Sequence, residues 1–376
     1  MFCATSFSNL KNEEKACKSI IDEVLNKLES PRKKDIMLIV FLSPKYNVEK
    51  VIDFFSDIDN IGVSVGGNIT DEGEFEGEES GISVLAIDKR YIRCESFSLS
   101  VPQIGLRDLG RKIAERFATD IPSSLILFPT PFYNIDEILS GIKEAKSENL
   151  FVTGGVASSY GNSPIFTFEN GSIGSYAISG VFLEGVEGNA RIAQSCKIVS
   201  SKFIVTSSEN NVIEEIDGEL ASDVLNDVAS EIIAEDPDIG KLPWFVGVEI
   251  ESRLELFRFY PILDVKNGYI YIGGEVEVGK NIVFAVMSRK YADENSKIEF
   301  SSISPNLSYD FCMIFNCLAR GRKFFGRKNH DISIVKRKLN CSMAGFFSNG
   351  EITTLGSPFL LTYSAVLANF RKVFIS

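Results

Sequence analysis

The sequence predicts a mixed α/β fold, in which parallel strand–helix–strand crossovers sit among many antiparallel strands in two packed sheets flanked by helices. Three observations carry this expectation. First, three segments share one layout of apolar run, polar break, helical pattern and second strand ending in small residues: Ile36–Ile69, Ser123–Ala157 and Asp310–Ile352. Second, the stretches between them, such as GISVLAID, YIRCESFSLS and RIAQSCKIVSSKFIVTS, read as antiparallel strands. Third, Asn170–Gly171 and Asn267–Gly268 are hairpin-turn pairs.

Taken in order, the chain opens on a helical lead-in over residues 1–32, with a helix expected at Glu13–Leu28. In the first crossover, IMLIVFL is apolar throughout, as a strand covered on both faces is, and the run breaks at SPKYN. Val48, Val51, Ile52 and Phe55 then share one helical face behind Asn47, a favoured N-cap, and GVSVGGNI closes the segment. The second crossover repeats the layout with SSLILF, a break at PTPFYN, Asn134 as cap, Ile135, Ile138, Leu139 and Ile142 on one face, and FVTGGVAS. In the third, DFCMIF stops at NCLARGR, Asn329 stands near the N-cap, Ile332, Val335 and Leu339 share a face, and AGFFSNGEI follows. Segments of this length make right-handed parallel crossovers, whose strand exits and helix starts lie at the carboxyl edge of a sheet, where ligands bind. Glycines at strand ends also serve simply as turns or bulges. Further helices are expected over Leu106–Phe117 and Glu219–Ile233. Ala229–Phe245, with its acidic residues, prolines and glycine, reads as a boundary, and the acidic Asp71–Ser80 reads as a solvated hairpin tip.

The 376 residues, 44% hydrophobic and 24% charged, have ordinary globular composition and room for two or three domains. A net charge of −12 argues against nucleic-acid binding, since the one locally basic stretch, Arg320–Lys328, is explained equally well as a solvated turn. The seven cysteines include no Cys-x-x-Cys pair and suggest neither a disulfide framework nor a zinc site. The amino terminus lacks a leader pattern, and no apolar run reaches the roughly 18 residues of a membrane span. A reducing, cytoplasmic setting without membrane or nucleic-acid partners is therefore expected. The lone histidine, His330, excludes two-histidine zinc sites and reads as a surface residue at a helix start.

The abrupt end of the third crossover's first strand supplies the candidate site. Arg320 offers a planar fork for a ligand carboxylate, or for an internal one such as Glu351. Glu351 would in turn hold a ligand ammonium or orient Arg320. Gly66, Gly67, Gly154 and Gly155 would let backbone N–H groups face a ligand. Ser64 and Asn316 would add short polar groups, although such residues near turns often satisfy local backbone instead. Cys317 invites a hydrolase reading, but cysteine hydrolases need a positioned base and His330 is the one imidazole; a small buried thiol at a strand end is the alternative. With no complete catalytic set, a binding protein without enzymatic activity is expected.

The order of motifs resembles the FIST family. GVSVGGNI, GGVASS and SGVFLEGVEG resemble elements of its first domain; FNCLARGRKFFG and MAGFFSNGEI, with Gly350, Glu351 and Ile352, resemble elements of its second. Asn316 stands where the family often has Ser, and Asn68 where an acidic residue is common. The resemblance implies a FIST N-terminal domain over 33–219 and a FIST C-terminal domain over 220–376. It also implies a sensor of small ligands in intracellular signal transduction, with an amino acid or similar carboxylate as ligand. The expected ligand set is then Ser64, Gly66, Gly67, Gly154, Gly155, Asn316, Cys317, Arg320, Gly350 and Glu351. Output would pass to a separate signalling protein such as a kinase or cyclase. Some relatives are implied to bind haem and sense nitric oxide; for this chain no metal or cofactor is expected, and haem stands as an alternative with His330, a Cys or a Tyr as axial ligand.

Overall fold

The computed structural model describes residues 2–29, 32–251, 255–303 and 308–373. The chain divides into two compact units: Met1–Ala193 with Ser296–Leu360 and Ser364–Ser376, and Gln194–Asn295 with Leu361–Tyr363.

In the first unit, each crossover becomes the centre of its own six-stranded sheet. One sheet runs β1 (Cys3–Ser8), β6 (Ile82–Asp88), β2 (Ile36–Leu42), β3 (Asp59–Ser64), β10 (Thr167–Glu169), β11 (Ser172–Gly174). The next runs β25 (Ser357–Leu361), β24 (Glu351–Leu355), β9 (Leu150–Gly155), β8 (Ser123–Pro129), β12 (Ala177–Leu183), β7 (Cys94–Ser100). The third runs β13 (Val186–Gln194), β26 (Ser364–Lys372), β22 (Phe311–Cys317), β23 (Ser342–Ser348), β4 (Gly67–Thr70), β5 (Gly73–Glu76). The crossover pairs β2/β3, β8/β9 and β22/β23 are parallel. β2, β8 and β22 are buried along their whole length, as their unbroken apolar runs require.

The helices cover these sheets through single apolar faces. α1 (Glu13–Leu28) buries Ala16, Cys17, Ile20, Ile21, Val24 and Leu28 in one core with α2 (Val48–Phe54) and β2. α3 (Leu106–Arg116) and α4 (Ile135–Ala145) bury Ile113, Ile138, Leu139 and Ile142 in a second core with β8 and β9. Asn47 and Asn134 cap their helices, accepting from Lys50 N and Asp136 N. The third crossover holds two short helices, α7 (Arg322–Phe325) and α8 (His330–Val335).

The second unit is built on a sheet ordered β14 (Cys196–Ile198), β21 (Asn281–Met287), β15 (Phe203–Glu209), β16 (Val212–Ile216), β20 (Tyr269–Ile272), β19 (Leu256–Lys266), β18 (Trp244–Glu251), with β17 (Glu219–Leu220) on β16. Because β18 also pairs with β21, the strands from β15 through β18 and β21 close into a six-stranded barrel. α5 (Ala221–Glu235) sends Ala221, Val224 and Leu225 into its core beside Val205, Ile270 and Phe284. The boundary between residues 295 and 296 falls within α6 (Arg289–Ser301).

The mixed α/β class is the expected one, with four sheets where two were expected. Periodicity marks a strand's buried faces but not which strands share a ladder. The lead-in carries strand β1 ahead of its helix. Ala229–Phe245, read as a boundary, lies inside the second unit, where Ile239 is buried between α5 and β18. Asp71–Ser80 is not a solvated tip: only Glu72 and Glu78 in it are exposed, because Glu76 and Glu79 meet the basic turn after β22 and Glu74 binds the start of α8.

Candidate functional site

The carboxyl ends of the crossover strands meet in the first unit, joined by hydrogen bonds. Ser158, just beyond β9, is the hub. Its N–H donates to Ser64 O at 3.0 Å, its hydroxyl accepts from Gly66 N at 2.9 Å, and the same hydroxyl donates to Phe347 O. Gly155 lies opposite Glu351 in the β9/β24 ladder, and Val156 N donates to Gly350 O at 2.9 Å. Ser348 Oγ lies 3.2 Å from Asn316 O and 2.8 Å from Glu351 Oε1. The four elements GVSVGGNI, GGVASS, NCLARG and SNGEI therefore do converge, and their meeting place is packed interior.

Within it, the glycines serve close packing. A Cβ on Gly154 would lie 2.0 Å from the Leu127 carbonyl oxygen, and one on Gly155 would lie 2.7 Å from the Phe346 ring. The Gly66 N–H is spent on Ser158, and Gly67 pairs with Glu76 in the β4/β5 hairpin. Ser64 Oγ accepts from Phe166 N at 3.0 Å. Asn68 uses both ends of its amide inside the fold, donating to Phe41 O and Ser83 Oγ and accepting from Ser80 Oγ and Gly81 N. Cys317 is buried at the end of β22.

The charged core is built around a carboxylate the sequence reading did not single out. Arg320 is 1% exposed, and its Nη2 lies 3.1 and 3.2 Å from the two oxygens of Asp331. The same nitrogen donates to Ser296 Oγ at 2.8 Å, and the guanidinium carbon sits 5.3 Å from the Phe325 ring centroid. Asn316 Nδ2 donates to Asp331 Oδ2 at 3.0 Å, while Asn316 Oδ1 is buried without a partner among the described residues. Burial raises the Asp331 pKa, but Arg320, His330 and Ser296 outweigh it and hold the carboxyl at about 2. The internal partner of Arg320 is thus Asp331 rather than Glu351. Removing Arg320 would strand a buried carboxylate, a change that costs roughly 3–5 kcal/mol.

His330, expected on the surface, is 2% exposed. Its ring stacks on Phe325 with centroids 3.4 Å apart, and its Nδ1 lies 3.0 Å from Asp331 Oδ1. Asn329 sits at the N-cap of α8 with φ 59°, but its side chain accepts from Glu74 N instead of capping. Glu74 does the capping from another strand, accepting from His330 N at 3.0 Å and Ile332 N at 2.9 Å. Burial, reinforced by nearby Asp331, pushes Glu74 up to about 7. Glu351 is wholly buried; desolvation lifts it to about 8 against the pull of Ser364, Ser348 and Arg320.

Outside this core lies a surface cleft of about 600 Å³, lined by Glu76, Gly77, Glu78, Glu79, Tyr160, Arg322, Lys323 and Gly326. It opens at the mouth of the converging elements: Glu76 is paired to Gly67, Tyr160 is two residues past Ser158, and Arg322 is two past Arg320. Glu76 Oε1 accepts from Arg322 N at 2.7 Å, and Lys328 Nζ reaches Glu79 Oε1 at 2.5 Å. The acidic loop and the basic turn are thus each other's partners.

Of the residues that build this region, Ser158 stood within a quoted motif, and Asp331 beside the lone histidine. Glu74 lay in the acidic run, where hairpin alternation would have turned it inward. Nothing near Ser296 marks it. A haem would need an accessible axial ligand and an apolar slot; His330 is covered by Phe325 and engaged by Asp331, so the one imidazole does not fit that role. Among the described residues, no group of three or more His, Cys, Asp or Glu side chains could hold a metal ion, and no helix is long and apolar enough to cross a membrane.

Comparison with known proteins gives the family. The FIST N domain matches residues 36–219 and the FIST C domain residues 221–354. Uncharacterized protein MT0656 of Mycobacterium tuberculosis is 24% identical over 356 residues, spanning 89% of this chain and 91% of its own. Uncharacterized protein Mb0898c of Mycobacterium bovis is 25% identical over 313 residues, 79% of each chain. With its two characteristic domains in sequence over most of its length, the chain belongs to the FIST family of sensory-domain proteins.

Proposed function

We infer that this protein is a cytoplasmic, non-enzymatic sensor in intracellular signal transduction that binds an amino acid or similar small carboxylate and reports occupancy to a separate signalling protein such as a kinase or cyclase. One observation carries the reading. The motifs shared with the family converge, and a cleft of small-molecule size opens at their common end. The cleft offers both polarities to a zwitterion: the exposed Arg322 and Lys323 for a carboxylate, and Glu78 for an ammonium, with the Tyr160 ring beside them. The buried Arg320 network serves as the rigid floor behind the cleft rather than as the direct contact first expected of Arg320, Asn316 and Glu351. Signal output then follows from the charge contacts that tie the acidic loop to α7 and α8, which a ligand's own charges would re-partition.

Native mass spectrometry of the purified full chain tests this, followed by calorimetric titration with the common amino acids and small dicarboxylates. The expected result is a non-covalent adduct released unchanged on denaturation, with affinity falling at least about tenfold in Lys323→Glu or Tyr160→Ala. Absence of any adduct and of any binding heat across the set would overturn the reading.

A further inference from the structure

A second feature of the first unit involves no ligand cleft. Cys312 is the second residue of β22, and Cys341 immediately precedes β23. In the parallel β22/β23 register, Phe311 lies opposite Ser342, so the two cysteines flank that pair diagonally on neighbouring strands. Both thiols pack in one apolar cluster with Ile314, Ile332, Val335 and Met343, and each perturbs the ionisation of the other. Their exposures differ: Cys312 is fully buried, whereas Cys341 is partly open to solvent. A third thiol, Cys3, lies nearby but donates its S–H to Asp310 O at 3.4 Å.

We propose that Cys341 and Cys312 form a peroxide-responsive dithiol, with Cys341 the attacking sulfur and Cys312 the resolving one. The division of labour follows from exposure: peroxide reaches the partly open Cys341 and not the fully buried Cys312. The neighbouring thiol favours the Cys341 thiolate against burial and the charges of Asp310 and Asp71, whereas Cys312, beside Cys341 and desolvated, keeps its proton. The Cys341 thiolate attacks one oxygen of hydrogen peroxide and the O–O bond breaks, leaving a sulfenic acid and a hydroxide that takes up a proton to become water. Cys312 sulfur then attacks Cys341 sulfur; the S–O bond breaks, and the departing hydroxide leaves as water with the Cys312 proton. In total, two thiols and one peroxide give one disulfide and two waters. Cys341 lies outside the ladder, so it is free to adjust to the S–S geometry. The bond would tie the end of the α8 connection directly to β22, and a dithiol reductant would reverse it.

The test uses the reduced full chain, exposed to stoichiometric hydrogen peroxide, then denatured and alkylated with a maleimide. Two of the seven cysteines are expected to escape alkylation, with a Cys312–Cys341 linked peptide on mapping that disappears after dithiothreitol. Cys94, which burial pushes up to about 12, serves as the internal control that stays alkylated. Cys312→Ser should stop at a sulfenic acid on Cys341 that dimedone traps, and Cys341→Ser should leave Cys312 alkylated. Seven alkylated thiols after peroxide, or a wild-type Cys341 that over-oxidises without linking to Cys312, would overturn the proposal; both are read on the unmutated chain.

Discussion

Glu351 shows what burial does to a single carboxyl. Ser348 and Ser364 hydrogen-bond it at 2.8 and 2.6 Å, yet desolvation dominates and lifts it from 4.5 to about 8. The folded chain then holds a proton that the unfolded chain releases above its ordinary value. Stability from this group is complete below about pH 4.5 and lost as pH rises toward 8, and Glu74 acts in the same sense up to about 7. Asp331 runs the other way: its pairing with Arg320 contributes above its ordinary value and is lost as pH falls toward about 2. Glu351→Gln keeps hydrogen-bonding capacity toward both serines and has no proton to lose. The loss of unfolding free energy between about pH 5.5 and pH 8 should therefore shrink by a few kcal/mol in urea titrations of this variant. An unchanged pH dependence would mean Glu351 is not held neutral. The sequence made Arg320 and Glu351 visible as unusual groups at strand ends. It could not show that Asp331, 11 residues on in the same crossover, would be the partner of Arg320, because that choice depends on where α8 docks.

Among the elements, the crossovers were the most legible. β2, β8 and β22 are continuous apolar runs followed by a helical face and a second strand, and each forms the predicted parallel pair. The Asn170–Gly171 turn joins β10 to β11 with φ of 43° and 94°, the paired positive angles an Asn-Gly hairpin adopts. GGVAS was legible as a special strand end, but its role is different in kind: Gly154 lets β9 lie against β8 where any side chain would strike Leu127 O. Gly154→Ala should cost roughly 1–3 kcal/mol through forced separation of the two strands. Chemical denaturation measures this, and a variant as stable as the parent would contradict the close-approach account. The acidic loop and the basic turn were each legible as charge runs, yet their pairing was not, since 246 residues separate Glu76 from Arg322 in sequence.

For the molecule as a whole, the contact-based units do not follow the order of the chain. The first unit takes in residues before 194 and after 295, whereas the second is nearly one continuous segment. Its sheet closes on itself through the β18/β21 pair, so its barrel strands leave no open edge, and its apolar core is internal. A fragment spanning Gln194–Asn295 should therefore fold alone, giving β-rich circular dichroism and one cooperative thermal transition. A fragment that stays unfolded would show that the barrel needs the rest of the chain.

Composition, apolar run length and turn chemistry by themselves determined the class of fold, the three crossovers, the capping asparagines of α2 and α4 and the small-residue ends of the crossover strands. These are local properties, set by period, propensity and backbone freedom within a few residues. Tertiary structure alone decided the division into four sheets, the inward position of His330, the choice of Asp331 as the partner of Arg320 and the meeting of Cys312 with Cys341. Each of those is a contact between segments distant in sequence or separately oriented. Its energy depends on desolvation and neighbouring charge at the finished site, quantities that no stretch of sequence carries alone.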